Sequence, residues 1–259
     1  MQTKKIENLN SIENNIKQIK NLFNVFLKVD TEFKMNHKYI ETDVRISAFQ
    51  KCMILFRNMY INLKLAKRDI LTDSVYDLIN QPTLFAMSSE SIIFEYINCS
   101  KISMQLIIYS CIESTLRPIY VSLKLGNEHD RFSKVFKKIV NELKLNKEYI
   151  DIMTILSNIR NTVHNNGVFI DPRGENYKIE YKGYTYEFIH NQGIGSVWIS
   201  NLTDLYRGIV NFYKEIFNHE KILNINFIQD KYAAYMNNIG IDTYGVDDLI
   251  YANIYSIED

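Results

Sequence analysis

Arg160 and His164 stand four residues apart in the stretch SNIRNTVHNNGVF, residues 157–169. An α-helix turns about 100° per residue, so positions four apart lie on one face, about one turn from each other. A permanent cation beside a side chain that titrates near neutrality suits work on phosphate. Cutting RNA without a metal needs a group that handles the proton of the 2′-hydroxyl or of the leaving 5′-oxygen, and a cation where charge accumulates at phosphorus. Histidine as a residue type titrates near ~6.5, which fits the first task, and such proton transfer is worth roughly 10²–10⁴ in rate. Arginine, a planar donor that stays charged, fits the second. Asn161 is placed to orient a phosphate or a ribose oxygen. The same letters have a plain structural reading too. A histidine in a last helical turn meets the helix dipole and unpaired carbonyls, Asn and Gly are ordinary C-terminal caps, and an arginine one turn earlier pairs with a carboxylate such as Glu113.

Such a site needs a helix that ends on it and neighbours that hold it. Asn146 is placed to cap a helix that buries Ile150, Met153, Leu156, Ile159 and Val163, and Gly167 to end it in the left-handed conformation. Within residues 130–144, Phe132, Val135, Phe136, Ile139, Val140 and Leu143 face inward, while Lys134, Lys137 and Lys138 read as a solvated face. Residues 89 to 125 read as nearly continuous helix, with MQLIIYSCIESTLRPIYVSL as the central core element and Pro118 as an expected kink or break.

Upstream, Ile6, Leu9, Ile12, Ile16, Ile19, Phe23, Phe26 and Leu27 recur at helical spacing, and residues 43–69 predict a second helix burying Val44, Phe49, Met53, Phe56, Tyr60 and Leu63. The two are expected to form an antiparallel hairpin. LTDSVYDLINQP reads as a short helix that stops before Pro82, and as the linker. After the motif, DPRG predicts a turn, and YKIEYKGYTYEFIH alternates like two strands around Lys182 and Gly183, giving a β-hairpin at about 177–189. Ser200 or Asn201 is expected to cap a further helix carrying Leu202, Leu205, Ile209, Phe212, Tyr213, Ile216 and Phe217, with shorter helices beyond His219. The fold expected is mainly α.

The 259 residues are 46% hydrophobic and 23% charged, enough for a sizeable core. Thirty basic residues balance thirty acidic ones, which argues against nucleic-acid binding through a global basic field and leaves room only for a local patch. Cys52, Cys99 and Cys111 are widely spaced, odd in number and set among apolar residues, so they are expected as buried thiols of a cytoplasmic protein. No apolar leader follows the N-terminal lysines and no uninterrupted apolar run approaches ~18 residues, so neither export nor membrane spanning is expected. His37, His129, His190 and His219 have no partner at metal-ligand spacing, and Gly193 and Gly195 lack the setting of a dinucleotide loop. No metal centre and no cofactor are expected. Tyr181, Tyr184 and Tyr186 offer rings that stack on bases or, more simply, pack on the bundle.

The core text SCIESTLR at 110–117, followed by IRNTVHNNG at 159–167, resembles the HEPN (higher eukaryotes and prokaryotes nucleotide-binding) superfamily over roughly residues 90–217. That resemblance implies an antiparallel helical bundle over residues 86–220, and the apolar spacing outside it predicts an N-terminal helical extension at 1–85 and a C-terminal helical appendage at 221–259. It also implies a metal-independent endoribonuclease of toxin, abortive-infection or anti-phage type, cleaving by 2′-hydroxyl attack. Carried onto this chain, the catalytic residues are Arg160, Asn161 and His164, with Glu113 and Asn165 in support. Glu113 is expected to hold Arg160 or His164 from a neighbouring helix. The implied partners are RNA, a second copy whose motif faces the first across one cleft, and a neutralising antitoxin or other defence-system protein. In one respect the chain departs from the family: its spacer between Arg and His is only Asn161, Thr162 and Val163, shorter than usual. Separations of four and of seven both keep the two side chains on one helical face. The short spacer favours an alternative reading, a catalytically silent HEPN-like module that binds nucleotide, RNA or a partner protein.

Overall fold

The computed structural model of the protein describes residues 2–70, 89–194 and 199–231. Helix α1 (Gln2–Asn36) turns Ile12, Ile16, Ile19, Leu22, Phe23, Phe26 and Phe33 inward at spacings of three and four. It packs along α2 (Val44–Leu65), where Phe26 meets Phe56 edge-on with ring centroids 4.9 Å apart. Asp43 caps α2 by accepting from the Arg45 N–H at 2.9 Å, and a single π-helical turn, Ala66–Ile70, follows. The short helix expected in residues 71–82 lies outside the described residues.

Helix α3 (Ser89–Ser122) is the long central element, packed against α2, and it runs through Pro118 without the expected break. Proline removes one backbone donor, and so close to the helix end few further bonds are at stake. Helices α4 (Phe132–Glu142) and α5 (Glu148–His164) then pack on each other and on α3. Phe132, Val135, Phe136, Ile139 and Val140 of α4 are buried as the periodicity requires. Two small antiparallel sheets follow: β1 (Val168–Phe169) pairs with β4 (Gln192–Gly193), and β2 (Tyr177–Tyr181) with β3 (Tyr184–Phe188). Lys182 and Gly183 have φ of 50° and 79°, the pair of left-handed residues that a two-residue hairpin turn needs. Tyr181 and Tyr186 are buried, with hydroxyls directed at the Asp204 and Asn201 carbonyls at 3.4 and 3.5 Å, so both rings are used in packing on the next helix.

Helix α6 (Ile199–Phe217) begins earlier than expected, placing Ser200 and Asn201 inside it rather than at its cap, and α7 (Glu220–Leu223) is a single short turn. One apolar core runs from Ile12 to Ile228 and draws on α1, α2, α3, α4, α5, α6 and the hairpin. Cys52 and Cys111 lie in it, but Cys99 is exposed. The apolar letters around Cys99 mislead because it shares the outer face of α3 with Ile102, Ser103 and Ser110, at helical spacing. Among the described residues no helix is long and apolar enough to cross a membrane.

A buried charge cluster ties the two ends of the described chain together. Asp43 and Arg45, both fully buried, form an ion pair at 2.6 Å. Arg45 also donates to the carbonyls of Ile222, Ile225 and Asn226, and the Ile228 N–H donates to Asp43 at 3.1 Å. Beside it Lys51 pairs with Asp230 at 2.6 Å.

Candidate functional site

Helix α5 carries the motif on its outer face because Ile152, Met153, Ile155, Leu156 and Ile159 hold the opposite face in the core. Asn146 accepts from the Glu148 N–H at 3.0 Å and so caps the start, as expected. At the other end the Asn165 N–H reaches back to the Asn161 and Thr162 carbonyls at 3.1 Å, and the Gly167 N–H to Thr162 at 2.9 Å. Asn166 and Gly167, with φ of 55° and 88°, turn the chain out of the helix and into β1. Asn165 therefore acts through its backbone as the closing residue of the motif helix.

Arg160 is half-buried and its guanidinium carbon lies 5.9 Å from the centre of the Tyr109 ring on α3. Its Nη1 donates to Asn161 Oδ1 at 3.2 Å, which joins two of the expected site residues directly. Tyr109 is held in turn by its hydroxyl, 3.0 Å from Ser157 Oγ, and by Phe132 of α4, whose ring meets it edge-on at 5.5 Å. Burial pushes the Tyr109 phenol above its ordinary range, against a smaller opposing effect of the Ser157 hydrogen bond. At neutral pH it is a hydroxyl, able to donate a hydrogen bond and unsuited to act as a base. Asn161 and His164 are exposed, and His164 makes no hydrogen bond or ion pair among the described residues.

Glu113 is bound by Arg117 rather than by Arg160 or His164. Its Oε1 accepts from Arg117 Nε at 2.9 Å and from Nη2, one helical turn along α3. Arg117 also donates to the carbonyls of Asp130, at 2.9 Å, and of Glu128, so this pair fastens the loop before α4 to α3. Glu113 and Arg117, like Arg160, lie close enough to Tyr109 to act on its charge. The site thus places two guanidinium groups and one carboxylate around one buried tyrosine.

The sequence alone does not single out Tyr109 or Ser157, yet it does hold a signal for Ser157. That residue lies three before Arg160 and seven before His164, on the same helical face. Tyr109 precedes Glu113 by one turn of α3, a relation that becomes informative only once α3 and α5 are known to pack together.

A cleft of about 470 Å³ shares Arg117 with this neighbourhood and is otherwise lined by residues such as Pro118, Val121 and Asp230; Arg160 and His164 do not line it. Arg160 is half-buried at the end of α5, and Asn161 and His164 are exposed there. Comparison with protein-family models, with curated proteins and with solved structures finds no match for this chain.

Proposed function

We propose that the chain is a metal-independent endoribonuclease of toxin or anti-phage-defence type, built on a HEPN-like bundle and acting in the cytoplasm as a homodimer. The observation that carries this reading is the strip formed by Arg160, Asn161 and His164 on the last turn of α5, with Arg160 half-buried over Tyr109 and His164 open to solvent. An open strip fits a polymer better than a small molecule, which takes an enclosed, mostly apolar site. In the reaction, His164 of one subunit removes the 2′-hydroxyl proton as that oxygen bonds to the adjacent phosphorus. The bond to the 5′-oxygen breaks, and the leaving oxygen takes its proton from His164 of the partner subunit. Arg160 stands by the phosphate oxygens as charge builds up on them. The products are a 2′,3′-cyclic phosphate and a 5′-hydroxyl.

The second reading, a silent binding module, draws support from the short spacer and from Glu113, which is engaged by Arg117, so that among the described residues the imidazole has no carboxylate to orient it. Substitution separates the two. His164→Ala should lower cleavage by roughly 10²–10⁴ and Arg160→Ala by roughly 10²–10³, with helicity by circular dichroism unchanged. EDTA should leave cleavage intact, and a 2′-deoxyribose at the cut position should abolish it there. Cutting of the deoxy-substituted strand, or loss of the fold in both alanine variants, defeats the nuclease reading.

A further inference from the structure

The exposed side of α4 and its flanks carries many more cations than carboxylates. Arg131, Lys134, Lys137, Lys138 and Lys144 are all exposed, along with Ser133 and Asn141, over about 20 Å at ~1.5 Å per residue. Glu142 is the single acidic residue of α4, and it forms an ion pair with Lys221. Asp130 engages Lys134 at 2.9 Å from the loop before the helix, and Lys144 acts on Glu142, but Arg131 and Lys137 have no carboxylate partner among the described residues. In a chain with thirty charges of each sign, this is a local surplus that the overall balance conceals.

The N-terminal end of α4 adjoins the candidate site through its buried face. Phe132, the first residue of α4, meets Tyr109 edge-on at 5.5 Å, and Tyr109 lies beneath Arg160. We propose that this face seats the phosphodiester backbone of the RNA whose scissile phosphate lies at Arg160 and His164. The inference rests on the reading of the motif as an RNA site and adds where the rest of the strand is held. An anionic membrane surface fits less well. A helix that lies on lipid offers the bilayer an apolar face, whereas the apolar face of α4 is in the core and none of the exposed large hydrophobic residues belongs to α4.

The test uses the full-length chain carrying His164→Ala, so that RNA is bound and not cut, and a fluorescent single-stranded RNA oligonucleotide. The variant Arg131→Ser/Lys137→Ser/Lys144→Asn removes three cations while sparing Lys138, whose Nζ holds the Leu125 carbonyl at 2.8 Å. Ser at 131 supplies the side-chain cap that α4 lacks, so the fold should hold. Affinity should weaken on the order of tenfold near 0.1 M salt, and the slope of log Kd against log salt should fall by about 0.7 for each phosphate that is no longer neutralised. Lys137→Arg/Lys144→Arg, which keeps the charge, should bind like the parent. If the unsubstituted chain does not cleave RNA but the triple variant still lowers affinity and slope, the α4 face stands and the nuclease reading falls. Should the unsubstituted chain cleave while the triple variant binds with unchanged affinity and slope, the α4 face is wrong and the nuclease reading survives. Binding to phosphatidylserine vesicles without binding to RNA overturns the face as an RNA seat.

Discussion

Tyr109 offers Arg160 a ring and offers Ser157 a hydroxyl, and the two interactions can be removed separately. Tyr109→Phe keeps the ring under the guanidinium and the edge packing with Phe132, so it should cost about 1 kcal/mol of stability for the missing hydrogen bond and leave RNA cleavage near that of the parent. Tyr109→Leu removes the ring as well, a cation–π interaction of roughly 0.5–1 kcal/mol and an aromatic pair of roughly 0.5–1.5 kcal/mol. Arg160 then loses the surface that orients it, and kcat should fall with KM less affected. Equal kcat values for the Phe and Leu variants, with both folded, would remove Tyr109 from any positioning role. At this scale the sequence is partly legible. Arg160 and His164, four apart on α5, do share one helical face, and Arg160 and Asn161 do touch. The partner of Glu113 is not legible, because Arg117 at four residues along α3 and Arg160 on α5 are equally good carboxylate partners until the helices are placed.

Helix α5 is fixed between two glycines that matter for different reasons. Gly167 ends it at φ 88° with open space where a Cβ would sit, whereas a Cβ on Gly208 of α6 would stand 2.5 Å from Ile152 Cδ1 and 2.8 Å from the Tyr181 hydroxyl. Gly167→Ala should therefore cost roughly 1–2 kcal/mol through backbone strain, and Gly208→Ala roughly 1–3 kcal/mol through overpacking. Ile152→Val deletes the clashing methyl and should partly rescue Gly208→Ala but not Gly167→Ala, as read from urea midpoints; rescue of both would contradict the assignment. Elements of this kind are the most legible part of the chain. The period of the apolar residues marks α1, α2, α4 and α5, and the Lys182 and Gly183 pair marks the hairpin turn. The start of α6 is misleading in sequence because Ser200 and Asn201 are good caps by type, a local preference that packing overrides. Arg45 has no sequence signal at all, since its partners near Ile222 and Asn226 are set by tertiary structure and not by any nearby pattern.

The molecule as a whole buries several tyrosine rings, among them Tyr109, Tyr149, Tyr206 and Tyr213. Burial pushes the Tyr181 phenol up to about 12 and raises those of Tyr109, Tyr149, Tyr186, Tyr206 and Tyr213. In the unfolded chain these groups ionise near ~10, so above that pH the unfolded state gives up protons that the folded state keeps. The stability they contribute is complete below about 10 and is lost as pH rises toward the folded values. Melting temperature should be level between about pH 8 and 9 and fall steeply above about 10, with phenolate absorbance appearing in the same step; a level melting temperature up to about pH 12 would contradict this. The Asp43 and Arg45 cluster carries another consequence, for the order in which the molecule can be completed. Its two halves lie 177 to 185 residues apart in the chain. At ~5–20 residues per second a ribosome needs roughly 10–40 s to make that interval. Throughout it Arg45 lacks the carbonyls of Ile222, Ile225 and Asn226, and Asp43 lacks the Ile228 N–H. The motif helix is synthesised in full by His164, well before residues 222–230 exist to close over Asp43, so biosynthesis reaches the chemistry before it reaches the closure.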